Sequence, residues 1–178
     1  AAIREKIAGP LKMADTEFWV YPENAAGICQ IYKHPSPGVL ERGRDAALLT
    51  QKPTLFLGGR GICSTAANYE RFCMMQMNGG EQDGVRVLKP EAVDLVFENR
   101  LEGIGQKYGL GGAADGEGGY TWGGANGPQL WIDRTKKLFA FFMVQTHLYK
   151  APNYNTFRNL ANAAAGIPGG RNGLTDGG

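Results

Sequence analysis

The chain has 178 residues, 43 % hydrophobic and 20 % charged, an ordinary balance for a globular domain with room for a sizeable core. A formal net charge of +2, with no basic run beyond Lys136-Lys137, excludes the phosphate-binding footprint of a nucleic-acid protein. The longest apolar stretch, Leu138 to Val144, is far too short for a membrane span.

Taken in chain order, Ala1 to Lys6 reads as the middle of an amphipathic helix rather than as a signal peptide, so the start looks cut. That helix, over 3–9, stops at Gly9-Pro10. A loop leads to the extended run Phe18-Trp19-Val20. Asn24 is placed to cap a helix through Lys33, with Ile28, Ile31 and Tyr32 at helical spacing. Pro35, Pro37 and Pro53 mark 34–57 as a surface excursion with one helical turn near 46–49. Ser64 or Thr65 caps a helix to Met77, whose apolar stripe is Tyr69, Phe72, Cys73 and Met77, and Gly79-Gly80 ends it in the left-handed conformation. Val85 to Leu88 reads as a short strand. Pro90 suits the first turn of a helix through Asn99, although Lys89 is a poor cap.

From Tyr108 the period changes to two. Strands are expected at 107–113, 119–124, 129–133 and 137–146, the last two joined by the Asp133–Lys136 turn. Leu138 to Val144 is apolar without alternation, which indicates a strand covered on both faces. A final helix at 155–165 would turn Phe157, Leu160 and Ala164 inward, and the glycine-rich tail from 169 would fray. No repeat is evident. There are 27 glycines, clustered as turns and sites of close backbone approach rather than in a collagen period. The 3 cysteines lack metal-ligand spacing; Cys29 and Cys73 read as small buried hydrophobes. The compartment stays open.

Five segments carry a resemblance. Pro10-Leu11-Lys12-Met13-Ala14-Asp15-Thr16 resembles a "PLGMxDT" pattern. Gly58 to Tyr69 resembles a glycine run followed by "STAxDY", with Arg60 replacing a glycine and crowding a turn. Met77-Asn78-Gly79-Gly80 with Val87-Leu88-Lys89-Pro90-Glu91 resembles "NGG…LLSPE". Tyr120 to Ala125, followed by Leu130-Trp131-Ile132-Asp133, resembles the strand pair bordering an active site. In this order they are similar to the carboxy-terminal half of class C β-lactamases and their esterase relatives, in the β-lactamase and penicillin-binding-protein family.

The resemblance implies an α/β (α+β), transpeptidase-like fold with an antiparallel sheet flanked by helices, incomplete in this chain. The divisions implied are 1–57 (end of a helical region and loop excursion), 58–168 (carboxy-terminal part of the sheet-and-helix domain) and 169–178 (flexible tail). It also implies a mechanism: a serine of a Ser-x-x-Lys motif attacks a carbonyl, that lysine and a tyrosine handle the proton, and an edge-strand motif frames the substrate. Many members have Lys-Thr-Gly at the last position. Here it is Trp122-Gly123-Gly124, as in some esterase-like members, and by resemblance the Ala125 N–H would be an oxyanion donor. The competing reading makes Trp122 a core tryptophan beside hairpin glycines.

The remaining machinery is missing. Neither Ser36 nor Ser64 begins a Ser-x-x-Lys, and neither Tyr69-Glu70-Arg71 nor Tyr154-Asn155-Thr156 is a Tyr-x-Asn. No catalytic residue, metal site or cofactor is therefore expected in this chain. Cys63 with His34 or His147 has no local support as a nucleophile and base. His34 reads as a solvated loop residue, His147 as a strand end, and Glu91, Asp94 and Glu98 as a solvated helix face. Two functions follow as expectations. One is the carboxy-terminal part of a serine hydrolase acting on a small ester or amide, a neutral ester before a β-lactam. The other is an inactive structural or interaction subunit. Either way the chain is expected against a partner, its missing amino-terminal half or another subunit.

Overall fold

Where the sequence changes from helical to alternating period, the chain leaves two helices and enters a four-stranded antiparallel sheet. In the computed structural model, residues 2–36, 38–59, 61–147 and 152–167 are described. The expectations for Arg60 and the tail from 169 lie outside them.

After the amino-terminal π-helix (Arg4–Ala8), the first α-helix, α1 (Ala66–Met77), is capped by Thr65, whose side chain accepts from the Asn68 N–H. It ends at Gly79 and Gly80, with φ of +64° and +94°. A Cβ on Gly80 would sit 2.2 Å from the Leu88 carbonyl oxygen, so only glycine fits. The Gly80 carbonyl accepts from Val87 and Leu88 and so holds a small hairpin, β3 (Glu81–Gln82) and β4 (Val85–Arg86), against the helix end. Helix α2 (Pro90–Phe97) follows, with proline at its start and no side-chain cap from Lys89.

The main sheet runs β5 (Ala113–Ala114), β6 (Gly119–Gly123), β7 (Gln129–Asp133), β8 (Leu138–Phe142), with neighbours antiparallel. One face, through Leu130 and Ile132, packs on Cys73 of α1 and on Val93 and Phe97 of α2. On the other side of α1, Met75 joins Ala8, Leu11 and Met13 in a second core. Strand β8 is half-buried throughout, not fully covered, and among the described residues it has a paired neighbour on one side only.

Several expected elements are different. Asn24–Lys33 is not a helix. A 3-10 turn at Pro22–Gly27 gives way to β1 (Tyr32–Ser36), because the Tyr32 N–H is taken by the Gln145 carbonyl at 2.8 Å. Cys29 is consequently exposed, while Cys73 is fully buried. The excursion at 34–57 contains β1, β2 (Val39–Arg42) and a 3-10 turn at Ala46–Thr50. The long strand at 137–146 breaks after Phe142, and β9 (Thr146–His147) pairs parallel with β1 instead. Only Ala113–Ala114 of the region around 107–113 is strand, since Gly105 and Gly111 adopt positive φ. The run 18–20 forms no strand; the chain pairs there by a single bridge from Glu17 to Cys63.

The last helix, α3 (Pro152–Ala164), buries Tyr154, Arg158 and Asn162 and leaves Leu160 65 % exposed. The inward face expected from Phe157, Leu160 and Ala164 is therefore corrected. Only Phe157 turns partly inward, against Phe142 at 5.6 Å. Opposite α3 the sheet presents Asp115, Asp133 and Lys136 around a small cavity shared with Arg158 and Asn162, so a polar stripe faces a polar floor.

Candidate functional site

Strands β6 and β7 pair in strict register, Trp122 opposite Leu130 and Gly123 opposite Gln129. Cross-strand partners share a face. Leu130 belongs to the core with α1 and α2, so Trp122 lies on that face of the sheet. Being near the strand's end, it emerges from the core and is 49 % exposed. The core-tryptophan reading does not describe it.

Past Gly123 the chain turns tightly. The Gly124 N–H donates to the Pro128 carbonyl, and the Gly127 N–H to the Gly124 carbonyl, both at 2.8 Å. A Cβ on Gly124 would meet Pro128 Cγ at 2.8 Å, so the turn itself requires a small residue there. At Gly123 a Cβ would meet the end of the Gln129 side chain, which is free to move aside. Ala125 is exposed, and its N–H makes no hydrogen bond among the described residues. The turn is buttressed from behind: the Asn126 carbonyl accepts from Thr146 at 2.8 Å, and its side chain donates to Gln145 at 3.2 Å. Residues read as a surface excursion, β1 and β2, thus support the turn through β9.

One neighbour escaped the sequence reading. The Tyr108 ring meets Trp122 edge-on, with centroids 5.8 Å apart and planes at 79°. Nothing in the local pattern distinguishes Tyr108 from the first residue of a strand.

The other motif segments are joined to one another by hydrogen bonds that hold the scaffold. Asp15 N–H donates to Asn68 Oδ1 at 3.0 Å, Asn68 Nδ2 donates to Asp15 Oδ2 at 3.2 Å, and the Thr16 and Ser64 hydroxyls are 2.8 Å apart. This knot fastens the segment after Met13, which belongs to the second core, to the start of α1. Ser64 is thereby engaged, and Ser36 is exposed on β1. The shifted thiols and phenols all move toward their protonated, unreactive forms. Burial pushes Cys63 up; it raises Cys73 to about 12, helped by Glu70; and it raises Tyr120 to about 12, helped by Tyr108. Burial, then Cys73 and Tyr120, also raise Tyr69, the opposite of what an activated tyrosine base requires. His34 and His147 are both exposed on strands. Asp94 and Glu98 pair with Arg134 and Arg100 at 2.8 Å. Among the described residues no group of three or more His, Cys, Asp or Glu could hold a metal ion, and no helix is long and apolar enough to cross a membrane.

The architecture is shared with known enzymes. Simvastatin synthase (LovD) from Aspergillus terreus, in its LovD6 mutant, superimposes with a TM-score of 0.74 at 22 % identity, covering 92 % of this chain and 48 % of the synthase. EstCE1, a hydrolase with promiscuous acyltransferase activity, gives 0.69 at 16 % identity over 91 % of this chain and 49 % of its own. At these identities the likeness shows the fold. In sequence, Protein Rv1367c of Mycobacterium tuberculosis is 27 % identical over 169 residues, covering 80 % of this chain and 42 % of its own length. The uncharacterized M. tuberculosis protein MT1414 matches equally. The chain thus spans less than half the length of these relatives. Residues 1–165 match the Beta-lactamase family, and with the ordered motifs and the helix-flanked antiparallel sheet, the chain belongs to that family.

Proposed function

We propose that this chain is the carboxy-terminal part of a serine hydrolase that cleaves neutral esters or amides, and that its nucleophile is supplied from outside residues 1–178. The observation that carries the reading is the end of β6. An exposed Trp122 stands where many members have a lysine, followed by two glycines and an exposed, unengaged Ala125 N–H. A lysine there would suit a substrate carboxylate; an indole offers apolar surface and one donor. In the proposed reaction the serine oxygen adds to the carbonyl, and the developing oxyanion accepts from Ala125 N–H and from the nucleophile's own N–H. The alcohol or amine leaves with a proton, and water or another acceptor takes the acyl group from the serine.

The reading is supported by the chain's half-length match to its relatives and by the absence of Ser-x-x-Lys within it. Fluorophosphonate labelling tests it. Residues 1–178 alone should take up no label, because Ser36 and Ser64 lack an activating base. The product of the uninterrupted reading frame should be labelled stoichiometrically on a serine of an upstream Ser-x-x-Lys and should hydrolyse p-nitrophenyl butyrate. Labelling of Ser36 or Ser64 would sink the proposal. A natural start near Ala1 would favour the alternative, an inactive subunit of a larger assembly.

A further inference from the structure

The segment that carries Tyr108 is unusually well fixed for a loop. The Asn99 side-chain oxygen accepts from both Leu101 N–H and Tyr108 N–H at 3.1 Å, and the Tyr108 carbonyl accepts from Arg100 N–H at 2.7 Å. Both backbone groups of Tyr108 are therefore committed. Next to it, Gly109 lies so close to the end of α2 that a Cβ would meet the Val96 carbonyl oxygen at 2.5 Å, and its N–H donates to Gly112 at 2.8 Å. Gly112 in turn lies against the half-buried Tyr120, whose ring meets Phe97 of the core at a tilt, with centroids 5.6 Å apart. This loop is held at both ends, yet its aromatic ring is left 37 % exposed against a Trp122 that is 49 % exposed.

A pair arranged only for packing would bury its rings, since that is where most of the gain of an aromatic contact lies. Here the rings meet nearly at a right angle, and both keep exposed surface where β6 runs into the Gly123–Ala125 turn. We infer that Tyr108 and Trp122 together form a preorganised wall for a flat, uncharged group of the substrate, with Tyr108 a specificity-determining residue. The inference rests on the reading of the Trp122–Ala125 edge as the substrate's. A planar aromatic or conjugated acyl or leaving group would stack on the exposed surface of one ring and meet the other edge-on. Neither ring carries a charge. Lys107, adjacent in sequence and exposed, and Arg100, whose backbone N–H donates to the Tyr108 carbonyl, are cations that could favour an anion, so the test includes one.

Binding is read without catalysis, from the fluorescence of Trp122 in the longer product of the uninterrupted reading frame, since the ketone has no bond to hydrolyse. The probe is 4-nitrophenyl butyl ketone, neutral, flat and quenching; 4-nitrobenzoate is its anionic counterpart. The wild-type chain should show saturable quenching by the ketone, and Trp122→Phe should abolish that component, leaving Trp19 and Trp131 unaffected. Tyr108→Ala should weaken the ketone about three- to tenfold, as loss of one aromatic contact implies. Tyr108→Phe should restore it, which a merely folding-related defect would not do. Quenching that does not saturate, an unchanged affinity in Tyr108→Ala, or equal binding of 4-nitrobenzoate would each overturn the inference. Fluorophosphonate labelling of the longer product is unaffected by any of these results, so failure here and failure of the hydrolase reading are told apart.

Discussion

Lys12 adopts φ +55°, in a motif whose family pattern has glycine at that position. Its Cβ crowds the backbone in the left-handed region at a cost of about 1–2 kcal/mol. The conformation is imposed from both sides: Lys12 N–H donates to the Gly9 carbonyl at 3.0 Å, and the adjacent Leu11 carbonyl accepts from Arg71 while its side chain is fully buried. Lys12→Gly should therefore stabilise the chain by about 0.5–1 kcal/mol, the relief being partly offset by glycine's greater freedom when unfolded. Lys12→Ala, which keeps the Cβ, should give little of this. Urea midpoints at constant slope check both, and a glycine variant no more stable than wild type would show the strain to be absent. At this scale the sequence was a mixed guide. It identified Thr65 or Ser64 as a cap, the Gly79-Gly80 stop and the Trp122–Ala125 segment from residue type and order. It could not find Tyr108, because only the path of the loop brings that ring to Trp122.

The hairpin between β7 and β8 was legible because turn residues separate two apolar runs, and the structure shows what closes it. Asp133 is 4 % exposed, and its Oδ1 accepts from Thr135 Oγ1 at 2.7 Å and Lys136 N–H at 3.1 Å, while Oδ2 is 3.3 Å from Lys136 Nζ. Burial by itself would raise the carboxyl pKa; the Thr135 and Lys136 hydrogen bonds and the lysine charge outweigh it, and the net shift is downward. A carboxyl depressed in the folded state contributes stability above its unfolded pKa of 3.8, lost as pH falls through the folded value. Asp133→Ala should cost about 2–3 kcal/mol at neutral pH, from the loss of charge-assisted hydrogen bonds. The difference from wild type should shrink once pH falls below 3.8. Melting curves across pH measure it, and a pH-independent difference would assign the loss to packing alone. The helix expected from Asn24 failed for a related reason. Ile28, Ile31 and Tyr32 have helical spacing, but β1 pairs with the neighbouring β2 and with β9, far along the chain, and both draw the chain into strand.

For the whole molecule, the sheet edge is decisive. Strand β8 carries Leu138, Phe139, Phe141 and Phe142, all half-buried, and its outer edge is unpaired among the described residues. Met143 follows it at 48 % exposed, and Leu160 of α3 at 65 %. An apolar edge of this kind invites pairing with another chain. We expect residues 1–178, expressed alone, to associate or to bind hydrophobic dyes, and to become well behaved when the upstream segment is supplied. Light scattering with a dye titration checks this. A monomer with a cooperative melt and little dye binding would show that the chain completes its own core.

What the sequence determined by itself was the family, the antiparallel sheet from Gly119 to Phe142, helices α1 and α2, and the absence of a Ser-x-x-Lys. These rest on local periodicity, caps and ordered motifs, which the chain writes in consecutive residues. What only the tertiary structure decided was the inward face of α3, the fate of 24–36, the strand break after Phe142 and the pairing of Tyr108 with Trp122. Each of these depends on a partner far away in the chain. Arg158 and Asn162 line one small cavity with Asp133 and Lys136, which are distant in sequence, and Tyr32 is extended because Gln145 accepts its N–H. At Tyr32 a backbone hydrogen bond to a distant strand overrides local apolar spacing, because a backbone donor left unpaired costs more than a lost helical pattern.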